Sequence, residues 1–440
     1  MIEAATLSAL RFGFGHHPAE SAPASADALL ESIGLPPPPR IPLSDRTALF
    51  EAYRKNRQDQ TSMAAENAKR ALNHAVRDDL RHAVRLAVRG PGFRERLTHF
   101  WLDHFTVAAR GRLLSLLVPD FVDRVIRPHI DGTFPTMLEA VAEHPAMLLY
   151  LNQANSVGPN SQVGQRRGRG LNENLAREVL ELHTIGVDAA YTQRDVRELA
   201  RLLTGLGTDK TGFRFRQGIA EPGQMEVLGQ TYRRSEPDLQ SIRTALRDIA
   251  LRPETARHLS KKLYRHFVGA PVDPGAIQAM AKAYRANDGA LLPVYQAMLA
   301  HPSAWERPLS NAKLPFHFIV STFRAAGATE DDIEGMSRGN IQKGIHTPMI
   351  NMGQRPFQPR GPDGWSEEPT AWITPPMLAT RIRWAAEFAQ RLLAKKDPRE
   401  FLEDALGDAA SDLLRFAVAG SEQRVEGIAL TLVSPEFNRR

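Results

Sequence analysis

Apolar residues recur at helical spacing along most of this chain, and that period constrains its fold more than any other feature. Between 192 and 205, Val196, Leu199, Ala200 and Leu203 share one face. Thr192 stands before them as an N-cap with Asp195 three residues on, and Gly205 stops the run. The same spacing predicts helices over 21–34, 91–107, 121–130, 136–150, 172–184 and 253–268, and one or two over 45–89. Others are predicted over 274–287, 289–300, 313–326, 376–395, 398–418 and 421–432. Four consecutive prolines, Pro36, Pro37, Pro38 and Pro39, cannot continue a helix and predict an extended spacer. Phe213 and Phe215 alternate, and a second run follows Pro222-Gly223, so a small β-hairpin is expected over 211–232. Two stretches carry no period: a Gly/Arg loop at 152–170 and a long Pro/Gly/Trp loop at 337–375. No repeat and no linker divides the chain. The expected fold is mainly α, one large helical-bundle domain over 1–440 with a small β-hairpin insertion.

The chain has no cysteine, which excludes disulfides, thiolate metal sites and a cysteine nucleophile. A net charge of +6 is modest for 440 residues. The densest basic run, Arg166, Arg167 and Arg169, has no nucleic-acid recognition motif beside it, so no nucleic-acid partner is expected. The first residues lack a signal-peptide pattern, and no uninterrupted apolar run reaches the roughly 18 residues of a membrane span. The default expectation is a cytoplasmic location, with export by an uncanonical or partner-assisted route as the alternative. Phosphate-loop and nucleophile-elbow signals are absent, and Gly13-Phe14-Gly15 is only G-x-G without a preceding strand.

The candidate chemistry concentrates in the helix predicted over 172–184. At about 100° per residue, Asn174, Arg177, Glu178 and Glu181 fall in one stripe, and His183 ends the helix. Two carboxylates one turn apart raise each other's pKa unless a cation intervenes. Glu178 and Glu181 are therefore candidates for acid/base work, with Arg177 or a metal as that cation. The competing reading is a structural Glu–Arg network. A second group, His99, Asp103 and His104, lies in an aromatic helix, but its spacing is not that of the H-E-x-x-H zinc motif. Lys261, Lys262, Arg265 and His266 read as a solvated basic face, with anion contact by Arg265 or His266 as the alternative. Trp365 and Trp372, in the long loop, are candidates to stack on sugar rings.

Several ordered motifs resemble the bacterial domain of unknown function 1800 family. They include Arg11-Phe12-Gly13-Phe14-Gly15, Phe100-Trp101-Leu102-Asp103-His104-Phe105, Met147-Leu148-Leu149-Tyr150 and Asn172-Glu173-Asn174 running to Glu181-Leu182-His183-Thr184. Lys262-Leu263-Tyr264-Arg265-His266-Phe267, Gly353-Gln354 with Pro356-Phe357, Gly364-Trp365 and Ser434-Pro435-Glu436-Phe437 complete the set. The resemblance implies a helical fold, an envelope or polysaccharide context and a sulfatase-like exported partner. It implies no reaction and names no cofactor. The chain departs from the family pattern at Asn152, at Glu221 and in the acidic run Ser366-Glu367-Glu368.

The first functional expectation is a hydrolase-like enzyme acting on an envelope or extracellular glycan. Glu178, Glu181, His183 and His104 are its catalytic candidates, and Asn174, Arg177, Arg265, Trp365 and Trp372 its substrate-binding ones. Neighbours on one helix make a poor opposed pair, so a second acid, Asp103 or Glu173, is needed. The second expectation is a non-enzymatic binding or assembly protein working with the sulfatase-like partner.

Overall fold

The computed structural model describes residues 2–34, 37, 43–56, 63–167, 170–209, 212–234 and 236–440. Pro36, Pro38 and Pro39 of the predicted spacer, and Arg169 of the basic run, lie outside the described residues. Helices dominate, as their periodic apolar faces require. The longest is Met63–Val88, and its Leu80, Val84 and Ala87 face inward. Two large apolar clusters form the interior. One gathers residues from Phe12 to Ala304 and centres on the helices Phe93–His104, Phe134–Glu143 and Pro253–Phe267. The other joins Leu80–Val88 to the helices Pro315–Ala325, Pro375–Leu392 and Pro398–Leu406. The helices Met63–Val88 and Phe93–His104, joined by a turn at Gly90 and Gly92, carry the chain between the two.

The β region differs from its prediction. It forms two antiparallel hairpins rather than one. Leu206–Thr208 pairs with Phe213–Phe215, and Gly223–Val227 pairs with Gln230–Arg234. The second turns at Leu228 and Gly229, both with positive φ, the conformation that a two-residue hairpin turn demands.

Other boundaries move for local reasons. The first half of the loop predicted over 337–375 is helical: Arg338–Ile341, the π-turn Gln342–His346 and Thr347–Asn351. Ser337 caps it through a bond from the Asn340 N–H. The part after Asn351 is a loop except for the 3-10 turn Pro369–Ala371. The predicted 152–170 loop contains the short helix Gln162–Arg167. The helix predicted over 398–418 breaks at Gly407, whose φ is +50°. Leu239–Ala250 is a helix beyond those predicted from the apolar spacing, capped by Asp238 with Ile242, Ala245, Leu246 and Ile249 buried. The helix predicted over 172–184 is one α-turn, Asn174–Glu178, followed by a π-turn, Val179–His183. Thr192 and Asp195 form the expected capping box of Gln193–Leu202.

Candidate functional site

A cleft of about 100 Å³ opens where the two apolar clusters meet. Leu102, Asp103 and Val107 line it from one side, and Phe316, His317 and Met349 from the other. Phe357, Trp365 and Glu367 come from the long loop and close it over.

The loop reaches this position through bonds spread along its length. Gln354 accepts a hydrogen bond from the Phe316 N–H at 2.8 Å, at the first turn of Pro315–Ala325. The Phe357 carbonyl accepts from the Ala109 N–H at 2.7 Å, and the Arg360 carbonyl from Arg110 at 2.7 Å. Gly364 has a φ of +84°, and a Cβ there would stand 2.7 Å from the Asp103 carboxyl carbon. Glycine is thus required for both the backbone turn and the close approach. The next residue, Trp365, donates its backbone N–H to Asp103 Oδ1 at 2.7 Å. Trp372 is buried, bonds the Ser366 carbonyl through Nε1 at 2.7 Å, and packs 5.6 Å from the Trp365 ring. It braces Trp365, which is the tryptophan that faces the cleft.

The cleft's inner wall is built of paired charges. Arg127 grips Glu95 with two hydrogen bonds of 2.9 Å and also bonds Asp123. Arg46 holds Asp79 in a second two-pronged pair at 3.0 and 2.9 Å. Glu367 accepts from His266 Nδ1 at 2.5 Å and from Arg440 at 2.7 Å. Burial opposes the Glu367 charge, but His266, Arg440 and Arg96 outweigh it and hold the acid down to about 2. Burial pushes His266 down to about 3, so the ring is neutral and donates from Nδ1 to an ionised Glu367. Its Nε2 then faces Arg96 at 3.5 Å as an acceptor. Burial likewise lowers His99 to about 4 and His317 well below the ordinary range. His99 stacks on Phe316 with ring centroids 4.6 Å apart.

Asp103 at the cleft, and Lys262 and Glu178 outside its lining, are different. Asp103 has no ion pair within 4 Å among the described residues. Burial and the nearby Glu367 raise its pKa, while the Trp365 N–H and Lys262 oppose them. Lys262 has no hydrogen bond or ion pair among the described residues either. Burial lowers its pKa against the pull of Asp103, Glu367 and Asp363. Glu178 is half-buried and also unpaired among the described residues. Burial, then the neighbouring Glu181, push it up to about 7 against the pull of Arg177. Asp363, exposed on the loop, acts electrostatically on Asp103, Lys262, Glu178 and Tyr150.

The structure separates the residues that the sequence grouped in one stripe. Glu181 accepts from Arg177 at 3.0 Å and from the Tyr191 hydroxyl at 2.8 Å. Glu173 accepts from Gln193 at 2.7 Å and lies 3.6 Å from Arg177. Arg177 therefore serves these two acids and leaves Glu178 without a pair. Asn174 is exposed at the start of its helix, with its N–H on Asn172 Oδ1 at 2.9 Å. His183 and His104 are buried together, and His104 Nε2 donates to the His183 carbonyl at 3.1 Å. Burial holds His183 down to about 3, so neither ring carries a charge near neutrality. The π-turn sends His183 inward and Glu181 outward, as their two-residue spacing on a helix predicts.

The basic face read along 261–266 is corrected. Lys261 and Arg265 are exposed, and Arg265 pairs with Glu368. Lys262 is half-buried and within electrostatic reach of Asp103, and His266 is buried on Glu367. The departures at Glu221 and Asn152 are both accommodated. Glu221 is fully buried and held by Arg201 at 3.0 Å and by Asn160 at 2.6 Å. Asn152 takes the left-handed conformation, φ 58°, which asparagine tolerates. Asp363 and His317 went unnoticed in the sequence. The Gly361-Pro362-Asp363-Gly364 turn was the available signal for the first, and His317 gave none.

A family model described as protein of unknown function (DUF1800) matches residues 8–439, nearly the full chain, so the chain belongs to that family. No curated protein and no solved structure matches it. Among the described residues, no helix is long and apolar enough to cross a membrane.

Proposed function

We propose that this member of the DUF1800 family is an acid–base enzyme of the hydrolase type, acting on an envelope or extracellular glycan. One observation carries the reading. Around the cleft, Glu95, Asp79, Glu181, Glu367 and Glu368 all have arginine partners, while Asp103 and Glu178 have none within 4 Å among the described residues. Both free acids are raised toward neutrality. A partly buried carboxyl that keeps its proton near pH 7 suits a general acid. In this reading Glu178 protonates a leaving oxygen, and Asp103, poised against Lys262, supplies the second carboxyl. Trp365 and Phe357 offer ring faces for a sugar, and Arg177 and Asn174 offer polar contacts outside. Glu178 itself does not line the cleft, so the substrate would extend from the cleft across the Asp363 turn.

The test is reducing-end release from a panel of bacterial envelope polysaccharides by wild type, Glu178→Gln and Asp103→Asn. Wild type should release product, and each variant should lose about a hundredfold or more. No release by wild type, or full activity in both variants, overturns the proposal.

A second reading, a binding or assembly protein, has its own supporting observation. The groove between Pro253–Phe267 and Pro274–Ala286 is lined by Arg257, Lys261, Lys282 and Arg285 over Ile277 and Ala281. None of the four cations has an ion pair among the described residues. Such a basic groove suits an acidic partner such as the sulfatase-like protein.

A further inference from the structure

Pro253–Phe267 and Pro274–Ala286 are consecutive helices. Each begins with proline at its first position, where the missing N–H breaks no helical bond. The connection 268–273 turns the chain back, so the two pack side by side as an αα-hairpin. Leu259, Leu263, Met280 and Tyr284 are buried and fix the pair to the core. Between the helices runs a groove of about 810 Å³. Its apolar floor includes Ile277 and Ala281, one turn apart on the second helix and both 7% exposed.

The banks of this groove carry charge of one sign. Arg257 and Lys261 are one turn apart on the first helix, and Lys282 and Arg285 one turn apart on the second. All four are exposed, and no acid lines the groove among the described residues. Like charges at this spacing weaken a helix, and opposite ones support it. Other exposed helices of the chain follow the second pattern: Arg54 pairs with Glu51, Arg70 with Glu66 and Arg391 with Glu387. The carboxylates nearest the lining in sequence are committed elsewhere. Glu254 lies 3.4 Å from Arg252, and Asp273 caps the second helix by accepting from the Gly275 and Ala276 N–H groups at 2.8 and 3.2 Å.

Shape and lining together select an occupant. From Ile277 to Arg285 the groove follows two helical turns, about 12 Å at 1.5 Å per residue. A groove between two packed helices receives the side-chain ridge of a third. A helix with one apolar stripe would cover Ile277 and Ala281, and acids flanking that stripe would meet the cations on both banks. An anionic glycan or a nucleic acid would match the charge but leave the apolar floor unused. No aromatic ring lines the groove for bases to stack on.

We propose that this groove docks an acidic amphipathic helix of a partner protein as a third helix beside Pro253–Phe267 and Pro274–Ala286. The inference rests on the binding reading above and deepens it; it is independent of the hydrolase reading. His266, on the same helix as Arg257 and Lys261, lines the cleft, so groove and cleft lie on different faces of Pro253–Phe267.

The experiment measures binding of labelled probes to the full chain by fluorescence anisotropy at fixed ionic strength. One probe is a designed peptide with leucines on one helical face and glutamates on both flanks. The second has the same composition in scrambled order, and the third is dextran sulfate. The ordered peptide should bind saturably and about tenfold or more tighter than the scrambled one. Lys261→Glu and Lys282→Glu, both at exposed positions, should each weaken it about tenfold. Equal affinity for the two peptides, or tighter binding of dextran sulfate, overturns the amphipathic-helix proposal; if the two charge reversals still weaken binding, the binding reading stands. Binding of no probe, or binding that neither reversal weakens, overturns the proposal and the binding reading with it.

Discussion

On the inner wall of the cleft, Glu95 takes two hydrogen bonds from Arg127 and Asp79 takes two from Arg46. At the rim Asp103 takes one backbone N–H, and outside the cleft Glu178 takes no side-chain hydrogen bond among the described residues. Both regions hold carboxyl groups in apolar surroundings, and desolvation raises the pKa of all of them. On the wall, guanidinium groups outweigh that penalty, as the depressed pKa of Glu95 shows. At Asp103 and Glu178 nothing outweighs it, and the acids rise. Paired buried charges are strongly destabilising to break, whereas unpaired ones weaken the fold and persist where they do something else. The difference separates the charges that hold this cleft together from those available for chemistry.

The largest effect should come from acid. His99, His183 and His266 are held by burial at about 4, 3 and 3. Unfolded, each takes up a proton near 6.5, so below that pH the unfolded chain binds more protons than the folded one. Stability should therefore fall steadily as pH drops from about 6.5 to about 3, with Glu367 extending the loss from 4.5 toward about 2. A circular-dichroism Tm that stays flat between pH 7 and pH 4.5 would show that the wall is not dry.

Next in size is the wall's central pair. Arg127→Met leaves Glu95 buried without its partner and should cost about 3–5 kcal/mol in urea unfolding. A cost below about 1 kcal/mol would erase the contrast between wall and rim.

The smallest effects should discriminate most finely, within the signature helix itself. Glu181→Gln weakens the bonds from Arg177 and Tyr191, and because Arg177 is partly exposed the loss should be about 0.5–1 kcal/mol. Glu178→Gln should behave oppositely. The folded state holds this proton up to about 7 and the unfolded state only to about 4.5, so wild type is penalised as pH rises through that window. The variant should melt at or above wild type at pH 8, and the difference should vanish below pH 4.5. A Glu178→Gln variant that melts well below wild type at pH 8 would move Glu178 into the structural class.

Much of the helical frame could be read directly. The capping box at Thr192 and Asp195 and the amphipathic run to Leu202 are local signals, and they appear as predicted. The π-turn over Val179–His183 could not be read, because it is a single turn at the end of the helix and too few apolar residues follow it to show the shift in phase. A few residues in and near the cleft stood out, but in separate motifs: Asp103 as a second-acid candidate, Lys262 and His266 in a basic face, and Glu367 in an acidic run, whereas Asp79, Asp123, Arg127 and His317 gave no signal. Their relation was invisible because Asp103 and Trp365 meet across 262 positions of sequence.

The sequence by itself determined the fold class, most helices and the membership of one family, because apolar period, caps and ordered motifs act within a few residues or in fixed order. Only the tertiary structure decided which charges are paired. Arg177 could serve Glu173, Glu178 or Glu181 by spacing alone, and it serves Glu181 and Glu173 because Tyr191 and Gln193 fold back beside it. The pKa of a carboxyl depends on what desolvates it and which cation lies within a few ångströms. Both are set by chain segments far away in sequence.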